Sequence, residues 1–294
     1  DELVNALIRG ILCNGHVLLE GVPGIAKTLA VRALGAASGC NVKRVQFTVD
    51  LLPTDIIGLT TYTPGKGFEV IKGPIFSNFL IAEEINRSPP KTQSALLEAM
   101  QEKIVTIGKE NYTLPAPFFV MATQNPLEVS GVYFLPEAEL DRFLFKLNVG
   151  YPNAEEEIKI LKQNITLQEF ERFNIKAVTS SQELVAMQNI VKKVYVSPGV
   201  ERYIVRLVHI TRKKEGFEHA KFVELGGSPR ASIGIYIASK SEALIQGRKF
   251  VTPDDIKKVA FDVLRHRLIL TYAAQVEGIT SDVIIREILN KVPA

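Results

Sequence analysis

The sequence predicts an α/β protein: a mainly parallel sheet with helices on both faces, followed by a smaller domain built of helices. Three observations predict it. Val17-Leu18-Leu19 feeds a Gly-rich turn over 21–24 and then a helical segment that runs to Ala37. Up to residue 151, short apolar runs alternate with helical patterns, as strands buried under crossover helices do. Beyond Tyr151-Pro152 the strand pattern stops and helical periodicity takes over. The expected organisation is a core over 1–151, a helical linker region over 152–197 and a helical lid over 198–294.

Taken in order, 3–13 carries apolar residues at helical spacing (Leu3, Leu7, Ile8, Ile11) and stops at Asn14-Gly15. Residues 16–19 form the first strand, and 44–49 alternate as a second. The stretch 51–72 is broken by Pro53, Gly58, Pro64, Gly65 and Gly67, and its arms 60–62 and 68–70 flank a Pro-Gly turn, a hairpin pattern. Residues 79–82 make a short apolar strand that ends in Glu83-Glu84. A helix is expected over 89–102, with Ala95, Leu96, Ala99 and Met100 on its apolar face. A second hairpin follows over 105–114, then strands over 118–123 and 143–149. The later segments 155–164, 181–194, 200–214, 232–246 and 253–268 all read as helices. Thr252-Pro253-Asp254-Asp255 is a helix start, because Thr accepts from free amides, Pro suits the first turn and the acids suit the dipole.

Composition bounds the rest. With 46% hydrophobic and 23% charged residues, the 294-residue chain is ordinary for a globular protein. A net charge of +3 argues neither for nor against nucleic acid. Residues 198–294 hold 16 Lys and Arg against 11 Asp and Glu, which reads as a solvated surface. No apolar run approaches the ~20 residues of a membrane span. Asp1-Glu2 is the wrong start for a signal peptide, and the lack of an initial Met leads us to expect a short N-terminal piece before it. Cys13 and Cys40 lack metal-ligand spacing and read as two free thiols of a reducing cytoplasm.

The organising stretch is Gly21-Val22-Pro23-Gly24-Ile25-Ala26-Lys27-Thr28, with Leu29 next in the helix. A strand, a Gly-rich turn and a helix N-terminus make an anion cradle of backbone N–H groups and helix dipole. Lys27 can reach β/γ-phosphate oxygens and Thr28 can ligate Mg²⁺. Ala26 replaces the second Gly of the usual pattern, and a Gly-Pro turn before an ordinary helix is the bland alternative. Glu83-Glu84, directly after a buried strand, can divide two tasks: holding the Mg²⁺ shell and orienting an attacking water. Asn125 follows the strand over 118–123 and can position a phosphate or the water. Asn125-Pro126 reads as well as a simple turn. Asp141-Arg142 could supply an arginine to a neighbouring subunit, or form a surface ion pair. Gly226-Gly227-Ser228-Pro229-Arg230 opens a helix from which Arg230 could reach phosphates, or merely caps it.

Together these residues resemble the MoxR family of AAA+ ATPases. The matching motifs are the 21–28 stretch (Walker A, with Ala before Lys as in this family) and Glu84-Ile85-Asn86-Arg87-Ser88-Pro89-Pro90-Lys91-Thr92-Gln93-Ser94-Ala95-Leu96-Leu97-Glu98-Ala99-Met100-Gln101-Glu102. With them go Ala122-Thr123-Gln124-Asn125-Pro126 (sensor 1), Leu135-Pro136-Glu137-Ala138 with Asp141-Arg142-Phe143, and Gly227-Ser228-Pro229-Arg230-Ala231 (sensor 2). The resemblance implies an AAA+ P-loop domain with a helical lid that binds ATP and Mg²⁺. Lys27 would hold the β/γ-phosphates and Thr28 the Mg²⁺. Glu84 would be the general base, Asn125 the sensor, Arg142 a finger acting in trans and Arg230 the lid sensor.

It implies a ring, usually hexameric, with chaperone-like action on protein clients. A von Willebrand factor A domain partner and a role in enzyme maturation or metal-cofactor insertion go with it. The two hairpins match inserts that face the ring pore. A DNA-associated motor would need a basic or aromatic tip on the second hairpin. Here the tip is Gly108-Lys109-Glu110-Asn111-Tyr112, one Lys offset by one Glu. One position departs from the family: Glu83 stands where Asp is expected, which moves the carboxylate out by a methylene. Mg²⁺ demands near-ideal octahedral geometry, so a nucleotide-gated scaffold with very slow hydrolysis is the alternative.

Overall fold

The computed structural model describes residues 2–21, 27–65, 67–125, 131–151, 153–163, 170–213 and 215–294. In chain order the elements begin with α1 (Glu2–Leu12), β1 (Val17–Gly21), α2 (Lys27–Ala37), β2 (Val42–Gln46) and α3 (Pro53–Ile57). Then come β3 (Gly58–Thr63), β4 (Gly67–Lys72), β5 (Phe79–Glu83), a 3₁₀ turn at Ile85–Arg87, α4 (Pro90–Glu102), β6 (Ile104–Ile107) and β7 (Glu110–Thr113). These are followed by β8 (Phe119–Gln124), α5 (Glu137–Leu140), β9 (Phe145–Val149), α6 (Ala154–Gln163), α7 (Ser181–Lys193) and α8 (Pro198–Ile210). The chain closes with β10 (Val223–Leu225), α9 (Pro229–Ile245), α10 (Pro253–Leu264), β11 (Ile269–Leu270), α11 (Tyr272–Val276) and α12 (Ser281–Lys291).

The five strands read from the sequence form one sheet, in the order β2-β5-β8-β1-β9. β5 pairs parallel with both β2 and β8, its Phe79 opposite Val42 and Phe119. Phe79, Leu80, Ile81 and Ala82 are wholly buried, which is why this strand reads as an unbroken apolar run. Both expected hairpins form, as β3–β4 and β6–β7. Gly21, at the end of β1, has φ +156°, and a Cβ there would lie 2.1 Å from the Val149 carbonyl oxygen. Only Gly fits where the strand turns into the 21–28 stretch.

The residues divide into two compact units, one of Leu18–Leu135 with Leu147–Val185, the other of Asp1–Val17, Pro136–Lys146 and Ala186–Ala294. The second unit is built on α8, α9, α10 and α12, with a short antiparallel β10–β11 ribbon. Ser197 caps α8 by accepting from the Val200 amide, so that helix starts at Pro198, two residues before the apolar pattern does. α10 starts at Pro253 as expected, but Thr252 donates rather than accepts: its amide and its hydroxyl both bond to Asp255 Oδ2, at 2.8 and 2.9 Å. An added Cβ at Gly234 of α9 would meet Val263 of α10 at 2.8 Å. The two helices therefore approach closely.

This unit also buries charge. Arg9 of α1 meets Glu242 of α9 at 3.3 Å and Asp262 of α10 at 3.7 Å, with the Arg9 and Glu242 side chains each only 2% exposed. Lys258 reaches Glu242 at 2.6 Å. Burial pushes the Asp262 carboxyl up from its ordinary value, against the pull of Arg265 and Arg9. Buried charges persist only when paired like this, since an uncompensated one costs several kcal/mol, roughly 3–5.

Candidate functional site

Within the first unit, α2 begins where the apolar strand β1 ends, and its first turn faces the carboxyl end of β5. Thr28 Oγ1 donates to Glu83 Oε1 at 2.5 Å. Two strands of one sheet and the helix after β1 thus converge on the edge where ligands bind in open α/β sheets. Arg44 of β2 donates to Glu83 Oε2 at 2.5 Å. That hydrogen bond holds the guanidinium above its ordinary value. Glu83 is therefore shared between a hydroxyl and a cation.

The next residue, Glu84, leaves β5 in a left-handed conformation, φ 55° and ψ 51°. A non-Gly residue there costs on the order of 1–3 kcal/mol and persists only where its surroundings over-determine it. They do here. The Glu84 amide donates to Thr123 Oγ1 of β8 at 2.9 Å. Its carboxylate accepts from Gln46 of β2 at 2.9 Å and from Arg87 at 3.0 Å. The turn turns Glu84 away from the strand's path, beside the Thr28–Glu83 pair.

Asn125 follows β8, half-buried, and its carbonyl accepts from Asn86 at 3.4 Å. Gln93 of α4, fully buried, donates to the Ile85, Ser88 and Tyr133 carbonyls and pins the turn after Glu84. Thr28, Glu83, Glu84 and Asn125 are thus tied into one strand-end network with Thr123 and Asn86. Leu29 lies half-buried in α2. Of the other expected residues, Val22, Pro23, Gly24, Ile25, Ala26 and the Lys27 side chain lie outside the described residues.

Sequence reasoning gave no role to Arg44, Gln46 or Arg87. A signal existed for the first two. Alternation along β2 puts Arg44 and Gln46 on one face, and the parallel register sets Gln46 opposite Glu83.

Arg142 and Arg230 belong to the second unit. Arg142 is half-buried just after α5. Arg230 is the second residue of α9, and its guanidinium lies 3.7 Å from Asp141 Oδ2. Ser228 caps α9, accepting from the Arg230 amide at 3.2 Å while its hydroxyl donates to Asp141 Oδ2 at 3.3 Å. The other Asp141 oxygen accepts from Arg267 at 2.6 Å. His266, beside it, donates from Nε2 to the Phe143 carbonyl at 3.0 Å. Burial, with Arg267 adding to it, holds this imidazole well below the ordinary His value, so it is neutral and Nε2 carries the proton.

The comparisons agree with this architecture. The family described as "ATPase family associated with various cellular activities (AAA)" matches residues 16–145, and the "AAA lid domain" matches 218–288. "Chaperone MoxR1" of Mycobacterium tuberculosis is 49% identical over 297 residues, covering 99% of this chain and 78% of that protein. "Protein MoxR" of Paracoccus denitrificans is 29% identical over 286 residues, covering 92% and 84%. A crystal structure from Cytophaga hutchinsonii superposes with a TM-score of 0.91 at 45% identity, covering 99% of this chain and 88% of its own. On the motifs, the sheet, the lid and these similarities, the chain belongs to the MoxR family of AAA+ ATPases.

Proposed function

We propose that the protein binds ATP with Mg²⁺, hydrolyses it in a ring of identical subunits, and uses the cycle to remodel protein clients. The observation that carries this is the Thr28–Glu83 hydrogen bond beside the left-handed Glu84, at the carboxyl ends of parallel strands. Hydroxyl and carboxylate oxygens are the donors that Mg²⁺ prefers, so Thr28 and Glu83 fit it. When bound, that ion neutralises charge on the β- and γ-phosphates. Lys27 and the backbone of 21–28 hold the phosphates. Glu84 takes the proton of the attacking water as its oxygen bonds to the γ-phosphorus and the bond to the β-phosphate oxygen breaks. Asn125 orients that water, Arg142 serves a neighbour's nucleotide and Arg230 senses nucleotide state. The domain reading is an AAA+ core over 1–151, a linker over 152–197 and a lid over 198–294.

By family analogy the ring is hexameric and works in the cytoplasm, with a von Willebrand factor A domain partner, in enzyme maturation or metal-cofactor insertion. No helix among the described residues is long and apolar enough to cross a membrane. Exposed Tyr62 and Phe68 pack on each other at 5.3 Å near the end of β3–β4, an apolar surface that a protein client could meet. The test is Mg²⁺-ATP hydrolysis per subunit across protein concentrations, with Lys27→Ala alongside. A rate that climbs with concentration is expected, as is near-complete loss of ATP binding in the variant. A flat rate, or unchanged affinity, overturns the reading.

One observation favours a second reading. Arg44 pairs with Glu83 at 2.5 Å and competes with any cation for it. If that pairing and the longer side chain slow turnover, ATP orders the ring without driving it. Glu83→Asp then raises single-turnover hydrolysis by about 100-fold, the scale on which small misplacements act. An unchanged or lower rate favours the motor.

A further inference from the structure

We propose that Arg267 is a positioning residue for Arg142, acting through Asp141 and the backbone that carries the finger. The inference rests on the trans role of Arg142 proposed above. Three consecutive residues after α10 bind the carbonyls around Arg142. Arg265 donates to Lys146 O at 2.6 Å and His266 to Phe143 O at 3.0 Å. Arg267 donates to Asp141 O at 3.3 Å, Phe143 O at 2.7 Å and Leu144 O at 3.1 Å. Its Nε bonds to Asp141 Oδ1 at 2.6 Å, and Nη1 also bonds to Val263 O at 2.5 Å.

The Arg267 side chain is 4% exposed. A buried guanidinium is costly, and here it is spent on one short segment of chain. That segment bears Arg142, the charge that a neighbour's nucleotide would meet. Only a planar fork can satisfy a carboxylate and several carbonyls at once, so Lys is not equivalent. Asp141 extends the arrangement. Its second oxygen takes the Ser228 hydroxyl and faces Arg230. One carboxylate therefore joins the residue before Arg142 to the first turn of the helix that carries Arg230. Any movement of that turn on nucleotide exchange is felt at the residue next to the finger.

The test is a double-mutant cycle on the assembled protein. Arg267→Lys is expected to lower kcat by about 100-fold with ATP affinity and ring assembly unchanged. Asp141→Asn is expected to act in the same direction and keeps the shape of the side chain. In the cycle, Arg142→Ala with Arg267→Lys is expected to be no slower than Arg142→Ala alone, because a residue acting through Arg142 has nothing left to position. Unchanged kcat in Arg267→Lys and Asp141→Asn, or losses that simply multiply in the double variant, overturn the proposal: the clamp is then structural only. If Arg142→Ala itself keeps the full rate, the finger reading fails first and the positioning role falls with it.

Discussion

Glu84→Gln is expected to hold ATP without turning it over. Hydrolysis is expected to fall by about 10²–10⁴-fold, the scale of a lost general base, while ATP affinity stays within a factor of a few. The amide has nearly the shape of the carboxylate but cannot take the proton from water. The local fold is expected to survive, because the Glu84 amide on Thr123 and Gln93 beneath it still hold the left-handed turn, and the amide oxygen of Gln can accept where the carboxylate did. Gln46 and Arg87 lose a charged acceptor, but both are exposed at the strand ends and can bond to water. The measurement is phosphate release set beside equilibrium binding of a fluorescent ATP analogue. A loss below about tenfold would move the base to another residue. Loss of binding would mean that the substitution has disturbed the cradle.

How far the sequence could be read depends on how local each signal is. The buried parallel strands announce themselves: residues 79–82 are apolar because both faces of β5 are covered. The Gly-rich stretch over 21–28 and Glu83-Glu84 are also local signals, and the sheet brings Thr28 to Glu83 across 55 residues. α3 hides among Pro53 and Gly58, which punctuate more strongly than its single buried residue, Ile56, can signal. α12 is absent from the sequence expectations, although its Ile284, Ile285, Ile288 pattern behind a Thr280 cap is a local helix signal. The expected helix over 253–268 stops at Leu264, because His266 and Arg267 leave the ladder to bind carbonyls of 141–144. Those same bonds hold Phe143 and Leu144 out of β9, which begins at Phe145 rather than 143. A polar residue that ends a helix gives no local sign that it will be buried against a segment 126 residues away.

Arg142→Ala is expected to lower hydrolysis by about 10³–10⁵-fold, the range over which an arginine finger acts. Charge builds on the γ-phosphate oxygens in the transition state, and on the proposed reading a guanidinium from a neighbour would meet it there. Size alone does not distinguish a finger in trans from a misfolded segment, but mixing does. Glu84→Gln subunits lack the base and keep the finger; Arg142→Ala subunits lack the finger and keep the base. Each is inactive alone. In a ring of equal parts, roughly a quarter of interfaces present Arg142 from one variant to Glu84 of the other. Activity is therefore expected to return to about that fraction of the unmodified rate. An arginine that served its own subunit would restore nothing on mixing, since no subunit would hold both groups. Recovery thus tests three claims at once: that the subunits assemble, that Arg142 reaches across, and that Glu84 is the base it serves.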